Sequence, residues 1–460
     1  MKDDSTARVA VIGGGISGLV AARRLARGGA SVVLFESADR FGGLGGQFEH
    51  DGFEFDKYYH VILPTDDHLL GLAGELGLDG SVYWEETSLG FLFQRRMYRL
   101  AGPLDLLRFD PVPFTDRVRL GLTALWASHV ARPGPLDEIT VEDWLRRLSG
   151  RRAFDRLWRP LLEAKFGDAY RNIPALWYWA SFNREKGTKT EVKGYLEGGY
   201  RAFALALIES ARAAGADLRL ESPVERVSLA GRAGPDGDAS PDGVRVRVRG
   251  EDLAFDSVVF CTPFALVSKL ADPQTLGSDL DRLPLDLDYQ GVVNVLLMMK
   301  RSVTPYYWLP VVDCDMPFRG IVETTRVIRE ADAADRHLVY LLNYVHRNTE
   351  EFARTDEDLA DSYTAGLLEL FPDLERSDIL SAHVFRTPYV EPIWTPGYSR
   401  RVPPKELVPG LVYLATTAQV YPNVTSWNSS IGLAIDAVDR LLNANAERSR
   451  REPVIRSRSA

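Results

Sequence analysis

Residues 8–12, RVAVI, form a short apolar run that ends in three glycines, and ISGLVAARRLARGG after them spaces its apolar side chains helically. A second apolar run, ASVVLFE, closes at Glu36. This pattern predicts strand, glycine turn, helix, strand, which is one βαβ unit. Similar signals recur far downstream. Residues 195–230 offer a glycine turn at Gly198–Gly199, then an amphipathic helix, then a strand; VRVRVRG (244–250) alternates with period two, as a half-exposed strand does. GRAGPDGDASPDG (231–243) reads as a loop, 255–270 as a returning strand and turn, and 409–442 as strand, loop and helix.

Between these pieces the pattern changes. Residues 66–194 are helical and aromatic, with Trp126, Trp158, Trp177, Tyr178 and Trp179; Leu120, Leu122, Leu125 and Trp126 fall at helical spacing beside Arg117 and Arg119. Residues 276–405 open on strands, GVVNVLLMM and HLVYLLNYV, and include Trp308. Trp158, Trp177, Trp179 and Trp308 are read as core. The tail ERSRREPVIRSRSA (447–460) is charged and aperiodic, which predicts disorder. The expectation is an α/β protein with one domain built from 1–65, 195–275 and 406–446, and an inserted α+β domain built from 66–194 and 276–405.

Charge and cysteine content narrow the function. With 55 Lys and Arg against 64 Asp and Glu, the net charge is −9, so no basic face for nucleic acid dominates. The 2 cysteines, Cys261 and Cys314, form no CxxC pair, and no HExxH is present, so neither a disulfide framework nor a metal site is expected. Cys261 is read as a small buried residue. The N-terminus runs into the first strand without a signal-like apolar stretch, and no apolar run reaches the roughly 20 residues of a membrane span. A cytoplasmic protein is expected.

The chemistry lies in the first glycine turn. Gly13, Gly15 and Gly18 meet the GxGxxG spacing: the first for the tight turn, the second for backbone approach to a pyrophosphate, the third for close helix packing. Ile16 and Ser17, which open the helix, belong to the same phosphate grip. Glu36 ends the second strand, where an acid can accept hydrogen bonds from a ribose. A second glycine loop, with Arg40, Gly42, Gly43, Gly45 and Gly46, follows immediately.

ESADRFGG resembles the ExxxRxGG continuation of the FAD-dependent amine oxidase, protoporphyrinogen oxidase and phytoene desaturase superfamily. The resemblance implies non-covalent FAD in a Rossmann-like domain of three chain segments. Glu36 would hold the adenosine ribose, Arg40 would lie near the pyrophosphate, and Gly42–Gly43 would pass close to the flavin. The backbone at Val224 would meet the adenine. Asp56 would close the strand after that loop, with Lys57 or His60 facing the flavin. Near the C-terminus the superfamily has Gly-Asp, whereas this chain has Thr416-Thr417, so Thr417 would meet the cofactor without a fixed charge. The helix opening around Ser429–Ile431 would aim its dipole at the flavin.

In amine oxidases a lysine on the strand crossing the flavin is associated with oxygen reactivity; the matching residue here is Asn294. Tyr421 and Trp427 are the candidates for an aromatic cage, and Asn294, His60 and Tyr421 the candidate catalytic residues. Three readings follow. The first is a desaturase or dehydrogenase taking hydride from a bulky, partly apolar substrate, with peripheral membrane contact through 114–130. The others are an amine oxidase and a non-redox flavoenzyme similar to UDP-galactopyranose mutase.

Overall fold

The structure is a computed structural model of the 460-residue chain and describes residues 6–100, 102–184, 191–231, 241–277, 280–312 and 315–456. Cys314 and most of the 231–243 loop lie outside the described residues. The fold is mixed α/β around a parallel central sheet. Its strands run in the order Glu406–Val408, Val412–Leu414, Ser257–Phe260, β1 (Arg8–Ile12), β2 (Ser31–Phe35) and Asp217–Arg219. All neighbours are parallel except the outermost pair, Glu406–Val408 with Val412–Leu414. Between β1 and β2 runs α1 (Ile16–Arg27), so the predicted βαβ unit is present.

Strand alternation divides the apolar residues between two cores. Val9, Val11, Val32 and Leu34 face α1, the helix Gly199–Ala213 and the C-terminal helix. Ala10, Ile12, Val33 and Phe35 face the other way, onto an antiparallel three-stranded sheet, Val224–Gly231, Pro241–Val248 and Glu251–Phe255. In that sheet Val244, Val246 and Val248 are buried while Arg245 and Arg247 are exposed, as period two requires.

A second sheet, antiparallel and five-stranded, is ordered Trp308–Pro310, Gly320–Glu323, His337–Val345, Tyr289–Met299 and Ile379–Pro392. Its two faces bury different partners. Val292, Leu296, Met298, Tyr340 and Leu342 join the core of the parallel sheet, while Val293, Val295, Leu297 and Leu341 pack under the helix Asp356–Leu370. Asn294 therefore points toward the parallel-sheet side, in register with Leu342 and Phe385. Helices between 103 and 184 form a third layer around Trp144, Phe154, Phe166 and Trp177.

The C-terminal helix spans Trp427–Arg456, so the segment expected to be disordered from 447 continues as helix as far as Arg456. The strong helix formers in NANAERSRRE, with opposite charges interleaved, supply the local preference that the missing apolar period concealed.

Candidate functional site

The glycine turn is built by distinct constraints. Gly13 adopts φ +102°, and its N–H donates to Phe35 O at 2.9 Å, folding the chain back over the end of β2. A Cβ at Gly18 would stand 1.8 Å from Gly13 O, and one at Gly14 2.6 Å from the Phe41 ring, so the packing of the chain itself requires glycine at both. Gly15 differs. Its φ is −71°, and a Cβ there would meet nothing nearer than Gly43 Cα at 3.9 Å. No internal contact excludes a side chain at Gly15, which is what a backbone surface reserved for a ligand requires.

Around this turn the structure gathers most of the sequence-derived residues. The Glu36 carboxylate accepts from Gly14 N at 2.6 Å and from Ala38 N at 2.9 Å, and the carbonyl of Glu36 accepts from Ser222 N at 2.7 Å. That bond brings the half-buried Val224 to the same end of the sheet. The second glycine loop lies directly on the first: Gly42 N donates to Gly14 O at 2.9 Å, and Gly15 bridges Gly42. Ile16 is buried, and the Ser17 hydroxyl donates to Ser430 O at 3.2 Å, joining α1 to the start of the C-terminal helix beside the buried Ile431. Thr416 caps a short turn at Thr417–Gln419, and nearby the Tyr289 hydroxyl accepts from Phe264 N at 2.9 Å.

Arg40 supplies the positive charge of the second glycine loop. Its guanidinium, about half exposed, pairs with Glu54 at 3.3 Å, and Glu54 is also paired with Arg201. An exposed arginine takes the nearest carboxylate, and that partner lies on the following hairpin, beyond the reach of a local motif.

Beyond the glycines, residues 55–60 cross beneath the second sheet. Asn294 is buried and donates from Nδ2 to Lys57 O at 2.8 Å, while its Oδ1 has no partner among the described residues. Burial pushes the Asp56 carboxyl up to about 6, and the Tyr195 hydroxyl donates to it at 2.6 Å. Burial holds His60 down to about 4, so the ring is neutral near pH 7. Its Nδ1 bonds the carbonyl of Tyr58 at 2.9 Å, which assigns the proton to Nδ1 and leaves Nε2 as acceptor. Tyr200 and Trp427 flank His60 with ring centroids at 4.8 and 6.1 Å. The Tyr59 and Tyr344 hydroxyls lie 2.9 Å apart, and Trp308 stacks on Tyr59 at 6.2 Å.

Tyr421 is not part of this group. Its hydroxyl donates to Asp137 and its ring lies against Trp394 and Tyr398, within the core of the helical layer. Proximity to Trp427 in sequence suggested a shared cage; the chain between them turns at Pro422 and sends the two rings into different cores. The sequence reading also missed Tyr195, Tyr340, Tyr344, Lys165 and Glu391. The period-two alternation of 289–299 does place Gln290, Val292 and Asn294 on one face, but which residues stand across from them depends on strand register.

The model described as flavin containing amine oxidoreductase matches residues 16–424, and the chain belongs to that family. It is a flavin-dependent oxidoreductase. A 15-cis-phytoene desaturase from an Oncidium hybrid cultivar is 22% identical over 414 residues, covering 83% of this chain and 68% of the relative. The putative flavin-containing monoamine oxidase AofH of Mycobacterium tuberculosis (strain CDC 1551 / Oshkosh) is 33% identical over 154 residues, covering 31% of this chain and 33% of its own length. The fold is similar to a putative protoporphyrinogen oxidase from Exiguobacterium sp. 255-15, with TM-score 0.75, 17% identity, and 95% and 98% of the two chains covered. Cyclohexylamine oxidase from Brevibacterium oxydans IH-35A gives 0.71 at 18% identity, covering 97% of this chain and 100% of that one.

Proposed function

We propose that the chain binds FAD non-covalently in a Rossmann-like domain formed by 1–65, 195–275 and 406–446, and takes hydride from a bulky, partly apolar substrate held by 66–194 and 276–405. The observation that carries the cofactor reading is Gly15, whose missing side chain serves no contact within the protein. In this reading Gly13, Gly15, Ile16, Ser17, Gly18, Gly42 and Gly43 cradle the pyrophosphate and the adjoining flavin, and Glu36 exchanges its bond to Gly14 N for the ribose. Arg40 leaves Glu54 for a phosphate, Val224 meets the adenine, and Thr417 and Ile431 lie along the remainder. When bound, FAD supplies a hydride acceptor at its flavin ring. The chain's own part is alignment: Asn294 fixes the Lys57 backbone, and His60 presents an acceptor nitrogen that stays neutral near pH 7.

The apolar-substrate reading rests on the helix Phe114–His129, where Phe114, Val118, Leu122, Leu125 and Trp126 are exposed, as are Leu104 and Leu107 just before it. Within 95–159, 13 arginines stand against 8 acidic residues in a chain whose net charge is −9. An apolar stripe in basic surroundings suits peripheral contact with an anionic membrane by a protein of the cytoplasm. Arg117 and Arg119 are committed to the carbonyls of Val112, Leu107, Leu148 and Arg147, so other arginines would meet the lipid. Among the described residues no helix is long and apolar enough to cross a membrane.

An amine oxidase remains the second reading, favoured by the stretch shared with AofH and opposed by Asn294 at the lysine position. Stopped-flow mixing of photoreduced protein with oxygenated buffer separates the two. Slow reoxidation is expected, and fast reoxidation would overturn the desaturase-like reading.

A further inference from the structure

One polar pair near the candidate site stands outside the residues assigned above to the cofactor. Glu391 is 5% exposed and stands opposite the buried Gln290 in strand register, on the strand that also pairs with Asn294 through Phe385. Its Oε1 is buried and has no hydrogen-bond partner among the described residues. Its Oε2 lies 3.7 Å from Lys165 Nζ, which comes from the helical layer and sits 4.8 Å over the Trp177 ring. Burial raises the pKa of Tyr59 and Tyr344, and the Glu391 charge adds to the rise in both.

We propose that Glu391, with Lys165, is the substrate-recognition pair, and that the group it receives is a neutral hydroxyl-bearing one of the kind found on a sugar or carbinol. This deepens the flavoenzyme reading above and rests on it for the position of the reacting carbon. Three physical points select the ligand class. A buried carboxylate oxygen left unpaired is costly, and a pure hydrocarbon would leave it unsatisfied. An ammonium would satisfy Glu391 but would stand beside Lys165, whose charge already neutralises the carboxylate. A hydroxyl donates to Oε1 and can accept from Lys165, adding no charge. The apolar remainder of the substrate would lie along the aromatic helical layer, against Trp177 and its neighbours.

The test uses two probes with one tail and different heads, n-octyl glucoside and n-octylamine, titrated below their micelle-forming concentrations into the purified flavin-loaded protein by calorimetry. The wild type should bind the glucoside more tightly than the amine. Glu391→Gln should weaken the glucoside about tenfold, since a charge-assisted hydrogen bond becomes a neutral one, with flavin content and melting temperature unchanged. Should Glu391→Gln fail to fold, the double variant Lys165→Met/Glu391→Met removes both charges together and should abolish the preference between the heads. Tighter binding of the amine, an unchanged glucoside affinity in the variants, or no binding of either probe would each overturn the proposal. Flavin content is read separately from visible absorbance. A flavin-free chain that still discriminates the probes through Glu391 would defeat the flavoenzyme reading and keep this one.

Discussion

Gly15 and Gly18 stand three residues apart in one turn and are glycine for different reasons. The Gly18 Cβ position is filled by the Gly13 carbonyl, whereas the space at Gly15 is open. Gly15→Val should therefore cost the bare chain no more than about 1 kcal/mol and still lose flavin, while Gly18→Ala should cost upward of about 3 kcal/mol. Thermal unfolding, read beside flavin absorbance, checks both, and a Gly15→Val protein with full flavin would remove the turn from the phosphate site. Asp56 and His60 make a second residue-scale case, because their shifts oppose each other. The folded carboxyl of Asp56 sits at about 6, above its ordinary value of 3.8, so its contribution to stability is largest below pH 3.8 and is lost as pH rises through 6. Folded His60 sits at about 4, below its ordinary value of 6.5, so its contribution is present above pH 6.5 and is lost as pH falls through 4. Each spans roughly 3 kcal/mol. Asp56→Asn should make the protein steeply acid-sensitive between pH 6 and 4, and His60→Gln should make it gain stability over the same interval. Melting temperatures across that range decide it; parallel profiles for both variants would show that these two groups do not govern the response.

At the scale of elements, the start of the C-terminal helix is fixed by one close contact. A Cβ on Gly45 would stand 2.1 Å from Trp427 Cζ2, and Trp427 packs edge-on against Tyr200 at 4.6 Å and beside His60. Gly45→Ala should therefore displace Trp427 and destabilise the protein by about 1–3 kcal/mol, the usual cost of overpacking. Unfolding by denaturant, with tryptophan emission as the signal, measures it. The helix Phe114–His129 is the opposite case, an element whose apolar face is left uncovered. Only Leu120, Thr123 and Ala127 are buried on it, while Leu122 and Leu125 are each 60% exposed. Leu122→Glu/Leu125→Glu should fold normally, because neither side chain contributes to a core, and should fail to float with anionic liposomes that carry the wild type. If the wild type itself stays in the soluble fraction, the membrane-contact reading falls.

For the molecule as a whole, the expected outcome is a yellow protein whose flavin is released completely into the supernatant on acid precipitation and proves to be FAD. FMN, or a pellet that stays yellow, would contradict non-covalent FAD. The βαβ unit was legible because each of its signals is local: apolar runs of strand length, helical spacing between them, glycine where φ must be positive, and an acid at the strand end. Family membership was legible for the same reason, since ExxxRxGG is contiguous. What the sequence could not decide depends on contacts between distant segments. Tyr421 and Trp427 are six residues apart and bury their rings in different cores. Arg40 pairs with Glu54, a carboxylate of the following hairpin that the contiguous motif does not contain. Lys165 and Glu391, more than two hundred residues apart, come together only because one helix of the inserted layer lies against the end of one strand. Local periodicity determines which elements form and which of their faces are apolar. Register and packing between those elements determine which polar groups on those faces meet, and no local pattern encodes them.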